Sequence, residues 1–378
     1  MEWRKHAERL AAKATHPVSR WRPAMATVPR HLFVPRWWHP NDDGWTLRDG
    51  PTDPEAWAAA AYSDTESLVT RVGQLHADHA QPGDRPTGLP TSSSTHPSLV
   101  VRMLRHGMLT DTSDLLIVGT GTGYSTALAC ARLGDKRVSS VDVDSYLTQV
   151  ATQRLAAAGW APTVTTADAT GPLPGTYDRI VSLVAVRPVP ASWLAALRPG
   201  GRLVTTLANM PVIITADKTD DGGAIGQVEW DRAGFMRTRH GHDYPPGLTQ
   251  RLPTLREQEG EHVGTGRYPV LNVPEAWEVW SMLELTEPGI EHHFETGPGR
   301  RRTAWMLHPD GSWARATAVW TDPPQVHQSG PRCLWDTLEK VRNRLNLEGA
   351  LPVYGATVRI DPDGTVHLHR SRWSATVP

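Results

Sequence analysis

The strongest constraint on this chain is a ten-residue phrase, Leu115-Leu116-Ile117-Val118-Gly119-Thr120-Gly121-Thr122-Gly123-Tyr124. Four apolar residues run into three glycines at alternate positions. A short apolar run closed by glycines reads as a buried strand, and the pattern from Ser125 to Leu133 behind it reads as a helix. Glycines without side chains let a bound molecule approach the backbone, beside the free N–H groups of a helix start. A nicotinamide-dinucleotide fingerprint needs its third glycine one position later, where Tyr124 stands. A phosphate-binding P-loop needs Gly-Lys-Ser/Thr, which is absent here.

Around this phrase, strand-like runs alternate with helical patterns. Val138 to Val143, Val164 to Thr166, Arg179 to Val184 and Arg202 to Leu207 read as strands, and Leu147 to Ala158 as a helix. Such alternation implies βαβ units and a parallel sheet. Two further runs flank Asp220-Asp221-Gly222-Gly223, which is hairpin chemistry, and are expected to finish the sheet edge. The expected fold is α/β, a doubly wound Rossmann-like sheet of the class I methyltransferase type with an antiparallel edge hairpin and a C-terminal α+β extension. The expected divisions are an N-terminal helical and loop segment (1–90), a core (91–240), a linker (241–268) and an accessory domain (269–378). Within the first, the Gly- and Pro-punctuated stretch from Gly73 to Pro90 reads as an exposed loop.

Two carboxylates stand where a nucleoside cofactor needs them. Asp142 ends the second strand about 20 residues past the glycines, a place from which an acid accepts hydrogen bonds from ribose hydroxyls. Asp168 follows the third strand and is placed to accept from an adenine amino group. The bland reading of either acid alone is a helix cap or a turn. In this order behind a loop that fits no pyrophosphate, they suit S-adenosylmethionine, with Gly119, Thr120, Gly121, Gly123, Tyr124, Asp142, Val143, Asp168 and Ala169 as candidate contacts.

Composition removes several alternatives. Thirty-nine basic residues against 40 acidic ones leave a net charge of −1, which argues against a dedicated nucleic-acid or membrane-surface binder. No apolar run approaches the roughly 18 residues of a membrane span, and the start, Met-Glu-Trp-Arg-Lys-His, lacks the apolar stretch of a signal peptide, so a cytoplasmic protein is expected. Cys130 and Cys333 are too few for a disulfide framework or a cysteine metal cluster and are expected to be buried. The pairs His76/His79, His240/His242 and His367/His369 lack an ordered carboxylate cluster, so no metal is expected. Arg300-Arg301-Arg302 reads as a solvated turn, while Trp37, Trp38 and Trp45 are weaker candidates for peptide contact.

Several phrases together resemble the protein L-isoaspartate O-methyltransferase family. They are Val28-Pro29-Arg30-His31-Leu32-Phe33-Val34-Pro35, Ala61-Tyr62-Ser63-Asp64, the glycine loop, Ser140-Val141-Asp142-Val143-Asp144, Tyr177-Asp178-Arg179-Ile180, and Leu197-Arg198-Pro199-Gly200-Gly201-Arg202-Leu203. The family's substrate loop corresponds to Thr95-His96-Pro97 through Met103-Leu104, with Thr95 in place of a serine. The hydroxyl run Thr91-Ser92-Ser93-Ser94-Thr95 and the phrases His308 to Ala314 and Gly330 to Asp336 resemble a narrower, peptide-maturation branch. That branch accompanies ATP-grasp ligases, and a sister group accompanies lanthipeptide synthetases. The resemblance implies esterification of an Asp side chain in a cross-linked ribosomal precursor peptide, followed by closure to an aspartimide. Ile117 departs from the acid often found at its position in the family.

A carboxylate acceptor with an ordinary pKa of about 3.9 is already ionised at neutral pH and needs no general base. Positioning is then the main task, and Ser93, Ser94, Thr95 and His96 are the candidate catalytic residues. The rivals are a repair-type isoaspartyl methyltransferase, an aspartyl methyltransferase of the lanthipeptide group, and a cofactor-binding module without catalysis.

Overall fold

The computed structural model describes residues 2–41, 44–239 and 244–377. At its centre is a ten-stranded sheet, and its parallel part runs in the spatial order Thr163–Thr166, Val138–Asp142, Leu115–Val118, Tyr177–Val186, Leu197–Leu207. The first strand lies in the middle and is buried along its whole length. Leu115 and Ile117 join one hydrophobic cluster while Leu116 and Val118 join another, so both faces of the sheet are covered. That explains why the run is continuously apolar rather than alternating. Helix Tyr124–Leu133 starts at Gly123, whose φ is +91°, and helix Ser145–Ala157 is capped by the Asp144 carboxylate, which accepts from the N–H groups of Tyr146 and Leu147 at 3.0 and 3.3 Å.

The hairpin forms where expected, Ile213–Lys218 against Ala224–Val228, but it does not finish the sheet. Strands Thr357–Ile360, Val366–Arg370 and Trp373–Val377 continue it antiparallel beyond Ala224–Val228. A division at residue 269 therefore cuts through the central sheet. What stands apart is the smaller sheet of His262–Thr265, Gln325–Ser329, Trp313–Val319, Arg301–Leu307 and Glu291–Thr296. Helices Trp277–Thr286 and Leu334–Glu348 contribute Leu283, Trp335 and Leu338 to its core. The stretch read as a linker takes part in this unit, because Leu252 and Leu255 pack on Trp305, Leu307 and Trp313.

The N-terminal segment also builds a sheet, in which Pro90–Ser94 pairs antiparallel with Leu68–Val72. The hydroxyl run is therefore largely a strand, and a division at residue 90 falls at its first residue. The stretch from Gly73 is only in part an exposed loop, since His76, Ala77 and Ala80 are buried. Trp37 and Trp38 are core residues, which removes them as peptide contacts. Cys130 is buried as expected, whereas Cys333, just ahead of helix Leu334–Glu348, is exposed.

Burial pushes His31, His76 and His292 down to about 4. Between that value and the ordinary 6.5, the unfolded chain binds more protons than the folded one, so stability rises with pH across this window. Lowering the pH from 7 to 5 is expected to reduce the thermal midpoint by several degrees. Differential scanning fluorimetry showing no change would contradict this reading of the three rings.

Candidate functional site

The glycine loop leaves the sheet next to the point where strand order reverses, between Leu115–Val118 and Tyr177–Val186, and ligands of open α/β sheets bind in that crevice. Its three glycines have φ of +91°, +50° and +91°, a region that favours residues without a Cβ. Gly119 also lies against the sheet, where an added Cβ would meet Val184 Cγ1 at 3.0 Å. The N–H groups of Gly119 and Thr120 both donate to the Val141 carbonyl, at 2.9 and 3.2 Å, tying the loop to the second strand.

Asp142 is fixed by the same loop. Its Oδ2 accepts from the Gly121 N–H at 2.9 Å and its Oδ1 from the Asp144 N–H at 3.1 Å. A carboxylate has about four acceptor positions, so two remain for a ligand. Burial raises its pKa above the ordinary value, and the two backbone N–H groups oppose that rise. Asp168 follows the third strand, with its Oδ1 accepting from the Thr170 N–H and hydroxyl at 2.9 and 2.7 Å.

Both acids open onto one cavity of about 340 Å³. Gly119, Thr120, Gly121, Tyr124, Val143 and Ala169 line it with them, while Gly123 acts one step away as the helix start. The cavity size suits a small-molecule cofactor. The Tyr124 hydroxyl is buried without a protein partner among the described residues, and burial pushes its pKa up to about 12, so it stays a neutral phenol. Loop glycines, two acceptor carboxylates and an unpaired phenol together fit a nucleoside carrying an amino-acid tail.

The hydroxyl-bearing strand forms another wall, with Ser93, Ser94 and Thr95 lining the cavity. A methyl group placed on Gly121 would lie 3.5 Å from the Ser93 carbonyl oxygen, so the glycine loop and this strand nearly touch. The Ser94 hydroxyl is buried and has no partner among the described residues. His96 does not join this wall. It sits at the start of helix Pro97–His106, where its Nδ1 lies 3.3 Å from the Leu99 N–H and 3.0 Å from the Asp64 carbonyl, contacts that depend on the tautomer. The candidate catalytic set is thus corrected to Ser93, Ser94 and Thr95, with His96 as a helix cap.

Arg30 holds the wall from behind. It is fully buried, and its guanidinium donates to five carbonyls: Ala61 at 2.7 Å, Ser94 at 3.0 Å, Thr95 at 3.3 Å, and Ser63 and Glu66 at 3.4 Å. One side chain thereby joins the end of helix Pro54–Ala61 to the hydroxyl strand. Its carbon Cζ also lies 5.4 Å from the centroid of the Tyr124 ring.

A segment not expected from the sequence also lines the cavity, through Phe235, Arg237, Thr238, Arg239 and Tyr244. The Ala185 N–H donates to the Met236 carbonyl and the Thr238 N–H to the Ala185 carbonyl, at 2.8 and 2.9 Å. Arg239 reaches Asp144 at 3.4 Å, and Arg71 from the N-terminal sheet binds the same carboxylate oxygen. Asp144 thus joins the cavity's three walls. The described lining residues include no lysine, no histidine and no acid besides Asp142 and Asp168.

Among the described residues no group of three or more potential ligands could hold a metal ion, and no helix is long and apolar enough to cross a membrane. His240 and His242 lie outside the described residues.

Residues 77–232, which carry the glycine loop, the hydroxyl run and both acids, match the sequence model of the family Protein-L-isoaspartate(D-aspartate) O-methyltransferase. The chain resembles isoaspartyl methyltransferases in sequence and in fold. A protein-L-isoaspartate O-methyltransferase of Ignicoccus hospitalis is 28% identical over 212 residues, covering 54% of this chain and 82% of that protein. Protein-L-isoaspartate O-methyltransferase 2 of Archaeoglobus fulgidus is 25% identical over 246 residues, covering 63% and 95%. A solved protein-L-isoaspartate O-methyltransferase superposes with a TM-score of 0.53 at 17% identity, covering 97% of this chain and 99% of that one. The fold is that of the class I methyltransferases, an α/β arrangement with mixed sheets.

Proposed function

We propose that this chain is an S-adenosylmethionine-dependent carboxyl O-methyltransferase acting on an isoaspartyl or aspartyl carboxylate in a peptide or protein. The observation that carries the proposal is the shared cavity. The hydroxyl-bearing residues 93–95 line the same cavity as the glycine loop and Asp142, and the described lining offers no general base apart from the two acids assigned to the cofactor. A hydroxyl or amine acceptor would need a proton removed, whereas a carboxylate would not.

In this reading Asp142 holds the ribose, Asp168 the adenine side, and the glycine loop the remainder of the cofactor, which when bound supplies a methyl group on a sulfonium sulfur. The chain's own task is to hold the acceptor. Ser94 and Thr95 donate hydroxyl hydrogens to a carboxylate oxygen without neutralising it, and Arg30 fixes their backbone from the far side. Neutral donors leave the carboxylate nucleophilic, whereas a guanidinium gripping it would stabilise the ground state more than the transition state. Holding reactants in near-attack geometry can contribute roughly 7–11 kcal/mol to barrier lowering.

The Ser94→Ala, Thr95→Ala double variant is expected to lose at least about tenfold in kcat/KM, as expected for hydrogen bonds to a charged group, while S-adenosylhomocysteine affinity stays the same. Equal activity in that variant would remove the hydroxyl wall from the site.

The finer reading is an enzyme that esterifies an Asp side chain in a ribosomal precursor peptide modified by an ATP-grasp ligase, with aspartimide as the outcome. What supports it is the uninterrupted five-hydroxyl run from Thr91 to Thr95. The C-terminal extension does not favour it, because the superposed isoaspartate methyltransferase spans nearly the whole of this chain. Turnover on an isoaspartyl hexapeptide, compared with turnover on a cross-linked Asp-containing precursor, decides between the two. Methylation of the precursor alone establishes the finer reading, and comparable turnover of unrelated isoaspartyl peptides establishes the repair type.

A further inference from the structure

We propose that Arg237 is a specificity-determining residue that binds a second carboxylate on the peptide, next to the one being methylated, so that the enzyme prefers acidic sequence around its target. The inference rests on the carboxyl-methyltransferase reading above and deepens it.

Arg237 lines the cavity yet is itself exposed, while Ser94 on the hydroxyl wall is only 2% exposed. A peptide entering with its acceptor carboxylate at Ser94 therefore leaves neighbouring residues near the exposed part of the lining, where Arg237 stands. The backbone around it is fixed, since Met236 and Thr238 flank it with hydrogen bonds to Ala185. The Tyr244 hydroxyl donates to the Arg237 carbonyl at 2.6 Å, and the Arg237 guanidinium carbon lies 5.5 Å from the centroid of the Tyr244 ring. Stacking of this kind restricts a guanidinium while leaving its N–H groups available.

Charge bookkeeping separates this residue from its neighbour. Arg239 spends its charge on Asp144. Among the described residues no carboxylate lies within ion-pair distance of Arg237. A planar fork of donors on the cavity lining, without an acid partner among the described residues, matches a carboxylate, which it can take up in bidentate fashion. The acceptor carboxylate itself is better left to the hydroxyls, so the partner of Arg237 is a flanking Asp or Glu side chain or a nearby peptide C-terminus. The other source of the same chemistry is the carboxylate of the cofactor's amino-acid tail.

The test uses the full chain, Arg237→Gln and Arg237→Glu, with two isoaspartyl hexapeptides that differ only in Asp or Lys beside the target. Peptide binding is read by fluorescence anisotropy in the presence of S-adenosylhomocysteine, and cofactor binding by calorimetry. The wild type is expected to bind the Asp-flanked peptide at least about fivefold more tightly, the size of a modest charge-assisted pair at a partly exposed site. Arg237→Gln is expected to erase the difference and Arg237→Glu to invert it, with S-adenosylhomocysteine affinity unchanged in both.

A preference that persists in Arg237→Glu, or its absence in the wild type, overturns the proposal. A tenfold loss of S-adenosylhomocysteine affinity in Arg237→Gln also overturns it, by assigning the guanidinium to the cofactor. Methyl transfer is scored separately. A wild type that discriminates between the peptides but methylates neither keeps the Arg237 assignment and sinks the catalytic reading instead.

Discussion

Replacing Asp142 with alanine is expected to give a protein that folds but takes up S-adenosylhomocysteine about 100-fold more weakly. The estimate follows from the chemistry of the position. A hydrogen bond to a charged acceptor contributes about 1.5–3 kcal/mol, so losing one such bond to a ribose hydroxyl corresponds to roughly ten- to a hundredfold in affinity. The same change frees the N–H groups of Gly121 and Asp144, which now donate to the carboxylate, and so loosens the loop that must meet the cofactor. Asp142→Asn separates the two effects, because an amide oxygen can still accept from Gly121 but carries no charge. Its affinity is expected to lie between wild type and alanine. The burial that raises the Asp142 pKa adds a pH signature: as pH falls, cofactor uptake declines at a higher pH than for an ordinary carboxylate, and the decline is absent in Asp142→Asn. Calorimetry across pH measures both, and undiminished binding in the alanine variant would remove this acid from the site.

Arg30→Met is expected to have the largest effect on the protein as a whole. The substitution keeps much of the apolar stem but removes the donors for five carbonyls, two of them in the hydroxyl run at Ser94 and Thr95. Leaving buried acceptors unpaired costs about 1–3 kcal/mol each where water cannot reach them. Even partial relaxation predicts a loss of about 3–5 kcal/mol, a large part of a domain's ordinary stability. The thermal midpoint should fall by about 10 °C, with methyl transfer lost more steeply than cofactor binding. Arg30→Lys keeps the charge but lacks the planar fork, so it is expected to recover most of the stability and little of the activity. If it recovered both equally, Arg30 would be a bulk charge rather than the residue that positions Ser94 and Thr95.

The parts of the site legible in the sequence were those with a local chemical signature. Three alternate glycines behind an apolar run, and an acid about 20 residues further on, are each set by backbone geometry within one βαβ unit, so Asp142 and the loop fell where expected. The hydroxyl run was visible for a similar reason, although its pairing with Leu68–Val72 was not. His96 misled because a residue adjacent to a substrate wall and one at a helix start have the same sequence context. Arg30 and Arg237 carried little signal of their role. One acts through carbonyls more than 30 residues away, and the other sits in an irregular segment whose place is fixed by two hydrogen bonds to Ala185. The place of the final strands in the central sheet was not legible, because a short run ahead of a turn announces a strand but not its partner, and here the partner, Ala224–Val228, lies more than 120 residues earlier.

That last pairing governs how the chain may be cut. Gln227 and Thr357 are register partners, so the polypeptide leaves the central sheet and comes back to it at adjacent positions, and the smaller sheet is a guest looped out between them. Trimming the tail from residue 269 would tear three strands from the host and bare the backbone of Ala224–Val228 to other chains. Excising the guest opens a seam as well, because Trp277, Met282 and Leu285 of its helix pack on the host's core and Glu284 pairs with the host's Arg187.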